Sequence, residues 1–296
     1  MDQKDQELLA LLSTHGRADE TFLSSRLGIT PSNVDRRIKL LKRDGIVEGF
    51  SAFFDRRMFG FDTTYVKLHY RMRDLDRIVR QVMDLEMVSQ VYVNMDDFML
   101  VEIVHWDLET LRSSVRALER ISSPMTVSSH YVPLLPDEIP ETPRDADLAL
   151  LRFLVDHGRA SIERISSELG LEEDDVEERL SRLLADGVIQ VRPLIREELV
   201  QPNPMFSLLV LMRKEFDVSA HYSRVLSLAK GSWLNTPLRG PPGVWLRCFG
   251  SDLHRMDRMI ERFRREDFVE DVLLMIPDAV LYDRAIDAGI IDRSLR

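Results

Sequence analysis

Positions 5–45 of the chain align without a gap on positions 147–187, a shift of 142 residues, and 17 of the 41 pairs are identical. The identities include Leu8, Leu9, Leu12, His15, Gly16, Arg17, Ala18, Gly28, Val34, Arg37, Leu41 and Gly45. Solenoid repeats span roughly 20–50 residues, so a period this long marks the duplication of a whole domain unit. Whatever fold the first half adopts, the second half must be able to adopt as well.

Each copy opens with the same local signals. An amphipathic helix ("DQELLALLSTH", "ADLALLRFLVDH") stops at Gly16 or Gly158, and a short second helix stops at Gly28 or Gly170. Glycine just past a helix C-terminus adopts the left-handed conformation that ends it. A third helix follows, opened in the first copy by Thr30 as N-cap and Pro31 at the first helical position, and closed by Gly45 or Gly187. The next runs, "IVEGFSAFF" and "VIQVRPLI", have β-type composition. Three helices and a strand spell a winged helix-turn-helix.

Downstream, at a shift of 143 to 144, both copies read strand, helix, strand, strand, helix, strand. The first copy's strands are expected at 63–71, 88–94, 97–105 and 125–133, and the second copy's at 205–213, 232–238, 243–250 and 268–277. This βαββαβ order is a ferredoxin-like α+β unit. Pro133, Pro136, Pro140 and Pro143 give the stretch between the copies linker chemistry. The expected fold class is therefore α+β, with winged helices at 1–60 and 143–200 and βαββαβ domains at 61–136 and 204–296.

The stretch from "DQELLALLSTHG" to "DRRMFG", residues 5–60, closely resembles the Lrp/AsnC family of prokaryotic transcription regulators. The family's glycine, two apolar residues, any residue, glycine, aromatic run appears as Gly45, Ile46, Val47, Glu48, Gly49 and Phe50, with its later Asp55 and Gly60. The resemblance implies double-stranded DNA as partner, contacted through the third helix, and dimers or higher assemblies built by pairing βαββαβ domains. It also implies a small effector held by loops between those domains. Candidate contacts are Asn94, Asp96 and Asp97 in "NMDDF", and Arg239, Gly240 and Gly243 in "LRGPPGV". Both turns depart from the family, the first by lacking a glycine and the second by carrying two prolines.

The third helices differ in charge. From 30 to 43 the first copy has five basic residues against Asp35, whereas 172–185 has six acidic residues against Arg179 and Arg182. At 100° per residue Val34, Ile38 and Leu41 face inward, leaving Asn33, Arg36, Arg37 and Leu40 on the outer face with Ser32 at its edge. Arg can grip guanine bidentately, Asn can read adenine, and Ser can bond bases or phosphates. Lys42, Arg43 and Arg17 are placed for phosphate contacts. An acidic helix would oppose counterion release, so the second copy is expected to have lost DNA reading.

Other chemistry is sparse in the sequence. A single cysteine, Cys248, excludes a disulfide framework or a multi-cysteine metal site, and it sits in the apolar run "VWLRCF". The histidines lack zinc-site spacing, and His15 and His157 read as helix ends. No phosphate-binding glycine loop or nucleophile elbow is present, so neither metal nor cofactor is expected. No apolar run reaches eighteen residues, and the charged start "MDQKDQ" is not a signal peptide, so a soluble cytoplasmic protein is expected. The leading expectation is a sequence-specific regulator, a homodimer presenting two basic helices. Two alternatives stand beside it: an enzyme resembling the sirohaem decarboxylases, which use the same architecture, and a co-regulator docking through the acidic helix.

Overall fold

The structure is a computed structural model that describes residues 1–123, 127–200, 205–229, 231–250 and 253–295. In chain order the first copy contains α1 (Gln3–Thr14), α2 (Glu20–Leu27), α3 (Pro31–Arg43), β1 (Val47–Phe54), β2 (Asp62–His69), α4 (Leu75–Met83), β3 (Val88–Asn94), β4 (Phe98–His105), α5 (Leu108–Ser122) and β5 (Val127–Pro133). The second contains α6 (Asp145–Asp156), α7 (Ile162–Leu169), α8 (Glu173–Ala185), β6 (Ile189–Ile195), β7 (Met205–Met212), α9 (Val218–Leu228), β8 (Ser232–Gly240), β9 (Pro242–Phe249), α10 (Leu253–Arg264) and β10 (Val269–Met275). Beyond the repeat lie β11 (Pro277–Tyr282) and α11 (Ala285–Ser294). Met125 and Thr126 of the strand expected at 125–133 fall outside the described residues, as do Asp252, first residue of the helix that the pattern puts at 252–264, and the domain ends Pro204 and Arg296.

The chain passes twice through each of two units. One holds residues 2–61, 137–195 and 284–296, and the other holds 62–136 and 196–283.

In the first unit the helix boundaries follow from local chemistry. Asp2 caps α1 in a reciprocal capping box with Asp5, Asp19 caps α2, and Thr30 caps α3 with Pro31 behind it; such caps are worth about 1 kcal/mol each. Gly28 and Gly170 terminate α2 and α7 in the left-handed region. Val34, Ile38 and Leu41 are buried on α3, and Val176, Leu180 and Leu183 on α8, as the period requires. The wing strands do not form separate hairpins: β1 pairs antiparallel with β6. Its register maps onto itself under the 142-residue shift, Phe50 facing Pro193 and Ser51 facing Arg192. The two winged helices are therefore a pseudo-dimer within one chain. Helix α11, which the sequence patterns did not signal, packs on α6 and on the turn at Arg56–Phe59. There Asp287 is buried and takes Arg56 at 2.7 Å and Arg284 at 2.7 Å.

In the second unit the strand order is β10-β7-β9-β8-β5-β2-β4-β3-β11, which is two four-stranded βαββαβ sheets linked through β5 and β8 and extended by β11. Each sheet buries one face under its own helices, around Val66, Val101 and Ile103 in the first copy and Leu208, Leu246 and Cys248 in the second. A third apolar layer of Tyr92, Phe98, Leu100, Tyr131, Leu209, Trp245 and Val280 is drawn from both copies. The βαββαβ domains thus pair inside the chain, an alternative that sequence patterns leave open. The single strand expected at 268–277 breaks at Ile276, and β11 crosses to pair with β3 of the other copy.

Candidate nucleic-acid interface

The outer face of α3 carries Ser32 and Arg36 exposed, Asn33 and Leu40 half-buried, and Lys42 and Arg43 exposed at its C-terminal end. Arg36 makes only a 3.5 Å contact to Asn33 Oδ1, Lys42 lies 5.4 Å above the Phe50 ring, and Arg43 bonds its neighbour Asp44 at 2.8 Å. Surface pairs of this kind contribute little and exchange readily for a phosphate. Lys39, also exposed, pairs with Asp35 at 2.8 Å on the same helix.

Arg37, expected on this face, and Arg17, expected at a phosphate, are engaged within the fold. Arg37 is held at 2.6 Å by Asp5 and 2.8 Å by Asp2, and its Nε donates to Asn33 Oδ1 at 2.9 Å. Burial works against its charge, but the bonds to Asp5 and Asp2 outweigh it and the guanidinium pKa lies above its ordinary value. The second copy builds the same clamp from Arg179 and Asp147, 2.9 Å apart. A contact that persists after DNA-type charge has gone from the helix is a fold contact. Arg17, expected to bind phosphate, donates instead to the carbonyls of Gly158 at 2.7 Å and Ala160 at 2.8 Å. Arg159 returns both bonds, to Gly16 and Ala18 at 3.1 Å each. Burial and the like charge of Arg159 bring the Arg17 pKa down to about 10. The repeated "HGRA" is thus the seam of the pseudo-dimer, while His15 and His157 cap α1 and α6 as the sequence suggests.

The remaining basic positions of α3 have lost their charge or reversed it in α8. Arg36 corresponds to Glu178, Lys39 to Ser181, Lys42 to Leu184 and Arg43 to Ala185. Arg182 of α8, at the Leu40 position, is tied to Asp147 at 2.8 Å. Sequence reasoning passed over Arg26, exposed in the last turn of α2 and stacked on Phe22, whose counterpart is Glu168. The change of sign at matched positions was the signal that could have found it.

The candidate effector contacts lie at the β3–β4 and β8–β9 connections, and several of them take part in strand stitching. Asn94 is buried, and its Oδ1 accepts from Ile276 N at 2.7 Å beside the start of β11. Tyr70 donates to the carbonyls of Asn94 and Asp96, both at 2.8 Å. In the other turn Gly240 pairs with Val132, and a Cβ on Gly243 would sit 2.5 Å from the Val210 carbonyl oxygen. Asp96, Asp97 and Arg239 are exposed, and among the described residues no hydrogen bond or ion pair joins the two turns.

A profile of winged helix-turn-helix DNA-binding domains matches residues 1–48 and 143–190. An HTH-type transcriptional regulator of Pyrococcus horikoshii is 30% identical over 125 residues, which is 40% of this chain and 81% of that one. The chain belongs to the Lrp/AsnC family of helix-turn-helix transcription regulators. It is a tandem duplication of the family's unit, with two winged helices and nearly twice the length of a relative: the regulatory protein AsnC of Haemophilus influenzae is 21% identical over 144 residues, 46% of this chain and 96% of that one. Over its whole length the chain is similar to the crystal structure of the siroheme decarboxylase NirDL, with a TM-score of 0.58, 99% of this chain and 98% of that one covered, and 15% identity. That likeness is one of fold. The relatives by sequence are named as transcription regulators, and this chain is a DNA-binding regulator.

Proposed function

We propose that α3 enters the major groove with Ser32, Asn33 and Arg36 against base edges, while Lys42, Arg43 and Arg26 hold phosphates on either side. The observation that carries this reading is the position-by-position contrast between α3 and α8. Both helices keep the same buried apolar positions and the same Arg–Asp clamp, and they differ in the exposed cations. Arg17 and Arg37 act in this scheme by holding the frame. Asn94, Gly240 and Gly243 are given no effector role, because they are occupied in strand pairing, which leaves the exposed Asp96, Asp97 and Arg239 as the effector candidates.

The test is a salt series of binding to DNA from upstream of the chain's own gene, against random duplex of equal length. Arg36→Ala should lose roughly 1–3 kcal/mol of discrimination between the two. The Lys42→Ala, Arg43→Ala double variant should weaken both duplexes alike and flatten the salt slope by about two. Unchanged affinity in all variants would remove α3 from the interface.

A further inference from the structure

The wing strands of the first unit pair with two-fold symmetry, and the exposed charges of its two third helices do not follow it. The β1–β6 register is two-fold symmetric, and Arg17 and Arg159 exchange equivalent bonds across it. A frame of that kind would present α3 and α8 to two half-sites related by the same dyad. At the exposed positions, however, Arg36 faces Glu178 across the dyad relation, Arg26 faces Glu168, and Lys39, Lys42 and Arg43 face Ser181, Leu184 and Ala185.

We infer that each chain is a single-headed reader whose DNA partner is one asymmetric half-site, with α8 setting the limit of the bound segment. This rests on the reading of α3 given above and adds to it the form of the operator. The physical reason is local. Neutralising phosphates releases counterions and supplies most of the sequence-independent affinity, with each contact adding about 0.9 to the salt slope. On α8 the described cations Arg179 and Arg182 are committed to Asp147, while Glu173, Asp174, Glu177 and Glu178 are exposed. Phosphates brought to that face would meet uncompensated negative charge. The pseudo-dimer keeps its seam because the seam builds the fold, while one of its two heads is electrostatically closed to DNA.

The experiment uses the full chain and two duplexes: the segment protected in a footprint of its own upstream DNA, and a palindrome made by inverting that segment about its end. Affinity, stoichiometry and salt slope are measured for wild type and for Glu178→Arg, Ser181→Lys, Ala185→Arg, three exposed changes that restore the α3 pattern on α8. Wild type should bind the single segment one to one, as tightly per chain as it binds the palindrome, which should take two chains. The recharged variant should prefer the palindrome by at least roughly tenfold and gain about two to three in salt slope, at one chain per duplex. A wild-type footprint symmetric about a dyad at one chain per duplex would overturn the inference and leave α3 as a reader. So would a recharged variant that folds, judged by circular dichroism, and shows neither gain. If wild type binds no DNA at low salt, the reading of α3 fails and this inference with it.

Discussion

Arg36 and Arg37 are neighbours in sequence with different work, and the distinction comes from their partners. Arg36 is exposed with one long contact, whereas Arg37 is mostly covered and tied to Asp2 and Asp5. Removing one member of a partly buried ion pair leaves the others uncompensated, so Arg37→Ala should destabilise the first unit by about 1–3 kcal/mol. Arg179→Ala should behave alike. Arg36→Ala should leave the urea midpoint unchanged while weakening DNA binding, and equal loss of stability in both arginine variants would contradict this division. The sequence did hold a clue. Arg17 and Arg37 are identical in the two copies although the surrounding charge has reversed, and a residue kept through such divergence serves what the copies share, the fold. Helical geometry places Arg37 on the outer face and cannot show that Asp5, 32 positions earlier, reaches over to it.

At the scale of elements, the seam of the pseudo-dimer depends on glycine where backbones meet. A Cβ on Gly16 would lie 2.1 Å from the Val191 carbonyl oxygen, and one on Gly158 would lie 2.8 Å from Phe50. Neither clash can be relieved by a side-chain rotation, because the obstacle is a strand backbone. Gly16→Ala should cost roughly 3 kcal/mol or more, read as a lowered unfolding midpoint. An unchanged midpoint would show that β1 and β6 do not approach as closely as described. Both glycines read in the sequence as simple helix ends, and their closeness to the opposite strand became visible only once β1 and β6 were paired. The latch made by α11 was illegible for a related reason. "AIDAGIIDRS" has a short and weak helical pattern, and it is fixed by Asp287 binding Arg56, 231 residues away, and Arg284.

On the scale of the whole molecule, the βαββαβ unit carries a buried carboxyl group that should make stability depend on pH. Glu197 has no exposed surface on its side chain, stands 3.5 Å from Arg247, and has both carboxylate oxygens without a hydrogen-bond partner. Burial raises its pKa from the usual 4.5 to about 7 against the pull of Arg247. Between those values the folded chain keeps a proton that the unfolded chain has released. The contribution is therefore complete below 4.5 and is lost as pH rises towards about 7, a change on the order of 3 kcal/mol. Urea denaturation from pH 4.5 to 8 should show stability falling through that window in wild type, with the slope gone in Glu197→Gln. An identical slope in the variant would assign the dependence to another group. The thiol of Cys248, which the sequence places in an apolar strand, is buried in the same unit, with its pKa pushed up to about 12 by burial.

The duplication, the element order up to β10, the inward faces of α3 and α8 and the reversal of their outer charge were determined by the sequence alone. The duplication is read by aligning the chain on itself, and the rest depends on residues a few positions apart, whose periodicity, capping and charge express such relations directly. Only the tertiary structure decided that the copies pair within one chain, that Arg17, Arg37, Gly16 and Gly158 belong to the frame, and that the two turns are tied to the opposite copy's last strands. Those outcomes rest on contacts between residues tens to hundreds of positions apart. No local pattern encodes which of several compatible surfaces a strand edge or a guanidinium will meet, because that choice is made by the packing of the whole.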